Sequence, residues 1–180
     1  DNPRPSAIFG LHVWPDEVGT IGYRAGPLMA ASDWLDIVVK GRQTHGAQPW
    51  GGIDPIVISS QIVLALQTVV SRNVDPRDMA VVSVGAIHGG DAPNVIPGEV
   101  ELRLSVRAYR PEVRTLLRER ITALAHAQAA TLGAEAVVDY RWRYPALVND
   151  AASTAFAREV ARDWLGEQAL IPDLQPLTGS

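Results

Sequence analysis

Leu35, Ile37 and Val39 alternate with Asp36, Val38 and Lys40, the two-residue period of a half-buried strand over Trp34 to Lys40. A longer pattern follows. Asp54 and Pro55 supply an N-cap and a first helical residue, and Ile58, Ile62, Leu66 and Val69 then recur at helical spacing. The run is rich in β-branched residues, which favours a strand, but its length favours a helix, ended by Arg72-Asn73 and Asp75-Pro76. Alternation resumes over Ala80 to Ile87 and is clearest over Glu99 to Arg107. There Val100, Leu102, Leu104 and Val106 take one side, and Glu99, Glu101, Arg103, Ser105 and Arg107 the other. A one-residue slip would bury those charges, so the register is well specified. Pro111 and Glu112 open a second helix with Val113, Leu117, Ile121 and Leu124 inward and Gly133 at its end. Ala136, Val138, Tyr140 and Trp142 mark a fourth strand. The order is β-α-β-β-α-β. This predicts an α+β fold, a split arrangement with a four-stranded antiparallel sheet and both helices on one face.

The flanks read differently. Ala7 to Leu11 suggests a short buried strand and Gly19 to Tyr23 a small one. After Pro145, Asp150 caps a third helix with Phe156, Val160 and Trp164 in a stripe and Gly166 at its end; the tail from Ile171 has little pattern. Residues 1–31 and 146–180 are too small to fold as a separate compact domain. Residues 32–145 therefore read as a middle domain inserted between two pieces of something else.

Composition narrows the function. The 180 residues are 47% apolar, enough for one good core. A net charge of −4 without a basic run argues against nucleic acid and anionic membranes as partners. There is no cysteine, hence no disulfide or thiol chemistry, which suits a reducing cytoplasm. The opening Asp1-Asn2-Pro3-Arg4-Pro5 lacks a signal-peptide pattern. The apolar run Ile56 to Val70, interrupted by Ser59, Ser60, Gln61, Gln67 and Thr68, reads as too short and too polar to span a bilayer.

Chemistry gathers at a few positions. The glycine-rich loop Gly41 to Pro49 joins a strand to a helix and carries His45, which has too few apolar neighbours to be a core histidine. A plain exposed loop histidine is the alternative. His12 stands at the end of a strand pattern, a good place for a metal ligand, although one histidine is not a metal site. Asn94 precedes Val95-Ile96-Pro97 and either binds a ligand or caps a turn. Arg107 is either a ligand-binding fork or an ordinary strand residue. His88 beside Gly89-Gly90 is a weaker candidate. Trp50 is expected to pack locally, with an acyl pocket as the alternative, and His126 falls on the polar side of its helix.

Linked motifs carry a resemblance. Gly10-Leu11-His12-Val13-Trp14-Pro15, Gly41-Arg42-x-x-His45-Gly46-Ala47-x-Pro49, Gln67-Thr68-x-x-Ser71-Arg72, Ile87-His88-Gly89-Gly90 and Asn94-Val95-Ile96-Pro97 occur in that order. From about Phe9 to Asp150 the chain resembles the M20 family of metallopeptidases and amidohydrolases, in the branch with hippurate hydrolase and the hydrolases of auxin–amino acid conjugates. The resemblance implies that 32–145 is the lid, or dimerisation, domain and that 1–31 and 146–180 are fragments of an α/β catalytic domain. It implies hydrolysis of the amide of an N-acyl amino acid or small peptide by two divalent metal ions (Zn, Mn, Co or Ni). It makes His12 a metal ligand and His45 the oxyanion donor, often in the partner subunit's site. It gives Asn94 and Arg107 the substrate carboxylate, and it implies a homodimer built through the lid. The upstream metal-ligand motifs, the general-base glutamate and the final metal-ligand histidine are not matched in this sequence. No metal is therefore expected to bind this chain stably, and the chain alone is expected to be inactive. The competing reading is a dimerisation or interaction module without chemistry, which would have no need of His45, Asn94 and Arg107 together. An RNA-binding domain is disfavoured by the acidic charge and by an exposed strand face without stacking aromatics.

Overall fold

The computed structural model describes residues 3–172 and 174–178. Asp1 and Asn2 of the opening segment, and Asp173, Gly179 and Ser180 of the tail, lie outside them. In chain order the strands and helices are β1 Ile21–Gly22, β2 Gly26–Met29, β3 Ala31–Lys40, β4 Thr44–His45, α1 Pro55–Asn73, β5 Ala80–His88, β6 Val95–Ile96, β7 Glu99–Ala108, α2 Pro111–Thr131, β8 Glu135–Tyr144, β9 Leu147–Asn149, α3 Ala151–Leu165 and β10 Leu170–Ile171. The chain divides into two compact units. One is Asp1–Leu28 with Leu147–Leu177; the other is Met29–Ala146 with Thr178–Ser180.

The larger unit is the α+β arrangement read from the pattern. Its sheet has the order β5-β7-β3-β8 with every neighbour antiparallel. Leu35, Ile37 and Val39 of β3 and Val100, Leu102 and Val106 of β7 face the core, where Ile58, Ile62 and Leu66 of α1 and Leu117 and Ile121 of α2 meet them. Both helices thus cover one face. The outer face keeps the polar residues, with Asp36 opposite Arg103 and Lys40 opposite Glu99.

Local chemistry sets the helix ends. The Asp54 carboxylate accepts from the backbone N–H groups of Ile56 and Val57 at 2.9 and 3.3 Å, satisfying donors at the start of α1. Beyond α2, Gly133 takes φ +77°, and the N–H groups of Gly133 and Ala134 return to the carbonyls of Ala130 and Ala129. This left-handed step is what lets the chain reverse into β8. Over its full length α1 is long and apolar enough to cross a membrane, contrary to the expectation for 56–70. Its inner face, Ile58, Ile62, Leu66 and Val69, lies in the core and accounts for part of that apolarity.

In the smaller unit β1 pairs with β10, in parallel, and β2 with β9. Asp150 caps α3 by accepting from Ser153 N–H at 2.7 Å, and Gly166 ends it. The expected strand over Ala7 to Leu11 does not form. Those residues are exposed, Ile8 and Leu11 to 85%, and no described strand pairs with them. A strand without a partner leaves its backbone ladder unmade, so an apolar run alone does not create one. The stripe Phe156, Val160 and Trp164 on α3 is exposed too.

Candidate functional site

The loop after β3 is shaped by glycines that admit backbone at close range. Arg42 and Ile53 exchange both backbone hydrogen bonds, at 2.9 and 3.0 Å, and close the loop at its base. A Cβ on Gly41 would run into the Ile53 carbonyl. Within the loop, β4 pairs with β6, setting Thr44 opposite Ile96 and His45 opposite Val95. Gly46 N–H donates to the Asn94 carbonyl at 2.7 Å, and a Cβ on Gly46 would sit 3.1 Å from that backbone. The two motifs that flank His45 and Asn94 are thus held side by side.

His45 is exposed, and its Nδ1 accepts from Ala47 N–H at 3.1 Å. An accepting Nδ1 places the ring proton of the neutral imidazole on Nε2, so the outward nitrogen is a donor. His12 has the opposite arrangement. Its Nδ1 lies 2.6 Å from the Val13 carbonyl, which can only accept, so Nδ1 carries a proton and, in the neutral ring, Nε2 has the lone pair. In the neutral rings, Nε2 is thus a donor in His45 and an acceptor in His12.

Arg107 lies elsewhere. It projects from the outer side of β7 opposite Ser32 and Val81. His45 and Asn94 adjoin the other end of that strand, where Gly41 N–H meets the Gly98 carbonyl at 2.8 Å. At a rise of about 3.4 Å per residue, Glu99 to Arg107 spans about 27 Å. Within one protomer, Asn94 and Arg107 therefore do not meet on one carboxylate. His88 ends β5 opposite Glu101. Trp50 is 80% exposed and does not pack locally, because the three-residue turn carrying it, Pro49–Gly51, buries nothing. His126 is exposed on α2.

Pattern reading missed a buried polar cluster at the Arg107 end of the sheet. Asp33, 1% exposed, accepts from Arg114 Nε at 2.6 Å and from a second Arg114 nitrogen, from Tyr140 OH at 3.0 Å and from Arg143 N–H at 2.9 Å. It ties β3 to α2 and to β8 where the β3–β8 register shifts between Ser32 and Asp33. Burial first, then the Asp33 carboxylate, pushes the Tyr140 phenol well above the usual tyrosine range. The available signal was parity, since Asp33 falls on the same side of β3 as Leu35.

Over residues 31–132 the sequence matches the peptidase dimerisation domain of the M20 type. The chain belongs to that family. This M20 chain is 42% identical over 156 residues to an N-acetyl-L-cysteine deacetylase of Bacillus subtilis, covering 86% of the chain and 38% of the relative. It is 37% identical over 174 residues to a hippurate hydrolase of Campylobacter jejuni, covering 96% and 45%. A solved dinuclear metal-binding peptidase of the M20 family from Bacillus subtilis superposes with a TM-score of 0.67 at 32% identity, covering 94% of this chain and 41% of that one. The M20 chain thus spans less than half the length of these relatives. Among its described residues no group of three or more His, Cys, Asp or Glu is placed to hold a metal ion. His12 has the tautomer of a ligand, but a metal centre needs several more donors than it supplies.

Proposed function

We propose that this chain is the lid, with flanks of the catalytic domain, of a homodimeric metal-dependent amidohydrolase that cleaves N-acyl amino acids or small peptides. The observation that carries the reading is the β4–β6 pairing, which presents the exposed His45 Nε2–H beside Asn94. A preset donor of this kind stabilises the oxyanion that develops as an amide carbonyl is attacked. The family membership and the names of the relatives support the substrate class. Divalent ions in the complete enzyme would supply the charge that polarises the amide carbonyl. His12 is proposed as one of their ligands.

Two protomers resolve the separation of Arg107 from His45 and Asn94. β5 is an edge strand of its sheet, and α1 beside it exposes Ile56, Val57 and Leu64. An uncovered edge with an apolar neighbour favours pairing. In a two-fold antiparallel β5–β5 pairing, the Val81 end of one strand lies by the His88 end of the other. Val81 is the register partner of Arg107. The His88 end adjoins β6, since a Cβ on Gly90 would sit 3.7 Å from Pro97. Arg107 of one protomer and His45 with Asn94 of the other would then serve one substrate, Arg107 and Asn94 on its carboxylate and His45 on its oxyanion.

The test uses the full-length enzyme. His45→Ala and Arg107→Gln are each expected to lower kcat/KM for N-acetyl amino acids by roughly tenfold or more. After subunit exchange, about half of the dimers are mixed, and each mixed dimer has one intact site, so about a quarter of all sites should recover. Exchange shown by mass-tagged subunits without any recovery would overturn the shared site.

A further inference from the structure

The outer face of the sheet carries four arginines, and their partners differ. Arg103 pairs with Glu101 at 2.9 Å, and Arg141 pairs with Asp36 and Asp139. Arg107 sits at the far end of β7. Arg143 has no carboxylate partner among the described residues. Its guanidinium lies over the Trp34 ring at 4.3 Å from the centroid and 5.9 Å from that of Tyr144. The backbone beneath it is fixed, because its N–H donates to the buried Asp33 carboxylate. The charge of that carboxylate is already taken by Arg114 on the inner side of the sheet. Arg143 is thus a cation held by aromatic surface, with its fork exposed and its charge uncompensated.

Its position gives that charge a use. Ser32 is the register partner of Arg107 on one side and of Tyr144 on the other. Arg143 and Arg107 are therefore two strands apart at one end of one face, about 10 Å between backbones. Two extended arginine side chains can reach both ends of a short dicarboxylate across that gap, and a planar fork suits each carboxylate. The Trp34 ring, 46% exposed, keeps the guanidinium from folding away without neutralising it.

We propose that Arg143, seated on Trp34, binds a second carboxylate of the substrate, so that N-acyl derivatives of acidic amino acids are preferred over their neutral counterparts. The proposal rests on the amidohydrolase reading above, with Arg107 on the first carboxylate. Arg143 acts on specificity and touches none of the reacting atoms.

The test compares N-acetyl-L-glutamate with N-acetyl-L-glutamine, which match in shape and differ in the second charge. In the full-length enzyme, Arg143→Gln should lower the glutamate-to-glutamine ratio of kcat/KM by roughly tenfold or more. Activity on N-acetyl-L-glutamine should change less than about twofold, and Arg143→Lys should restore part of the ratio. Arg107→Gln should lower both substrates together. An unchanged ratio in Arg143→Gln, or an equal fall on both substrates, overturns the proposal and leaves the amidohydrolase reading standing. If the wild type hydrolyses neither substrate, calorimetry with glutarate and butyrate decides the binding role separately. A wild-type preference for glutarate that Arg143→Gln abolishes supports the anion site, and no preference overturns it.

Discussion

At the scale of the residue, the Asp33 cluster sets a pH limit. Tyr140 has its phenol raised, so the folded chain keeps it neutral where the unfolded chain begins to ionise it, near pH 10. A group raised on folding contributes stability that is complete below the unfolded value and is lost as pH climbs towards the folded one. Tyr140→Phe should therefore cost about 1 kcal/mol at pH 8, from the lost hydrogen bond to Asp33. Its urea midpoint should then converge on that of the wild type as pH rises above 10. Parallel curves from pH 8 to 11 would remove Tyr140 as the cause. The sequence made Leu35, Ile37 and Val39 legible because their neighbours alternate with them. It hid the Asp33 cluster because Arg114, Tyr140 and Arg143 stand 81, 107 and 110 residues away. His45 and Asn94 were legible through their motifs. Their adjacency was not, because it depends on two-residue strands too short to show a period.

At the scale of the element, helices and long strands followed their periods, and errors arose where an apolar run had no partner. Ala7 to Leu11 has strand composition and no strand beside it. The helical period of α1 accounts for its inner stripe but not for the outer apolar residues Ile56, Val57 and Leu64, the last of them 72% exposed. The proposed β5-edge dimer would give them a contact. Leu64→Glu should place like charges across the two-fold and raise the dimer dissociation constant by roughly a hundredfold or more. Sedimentation at micromolar concentration should then show monomer with an unchanged circular dichroism spectrum. Asp54→Ala supplies the contrast, since loss of the cap should cost about 1 kcal/mol of stability and leave the dimer intact. Dimer retained in Leu64→Glu would move the interface away from α1.

At the scale of the whole molecule, the 180 residues divide into a unit with its own core and one assembled from both ends of the chain. Among the described residues no group of three or more His, Cys, Asp or Glu is placed to hold the metal ions of the proposed reaction. The chain assayed alone against N-acetyl and N-benzoyl amino acids, with Zn²⁺, Mn²⁺ or Co²⁺ added, should give no turnover. Metal-dependent turnover that survives repurification would show that these residues assemble a centre by themselves. The order of the strands has a further consequence, for synthesis. β3 is central in the sheet, yet its neighbours β7 and β8 are made long after it. At about 5–20 residues per second, the ribosome takes roughly 5–20 s to pass from Lys40 to Tyr144. Until β7 is made the nascent β3 carries an apolar face and two unpaired edges, and until β8 is made it keeps one, so it is the segment that a holding chaperone should occupy first.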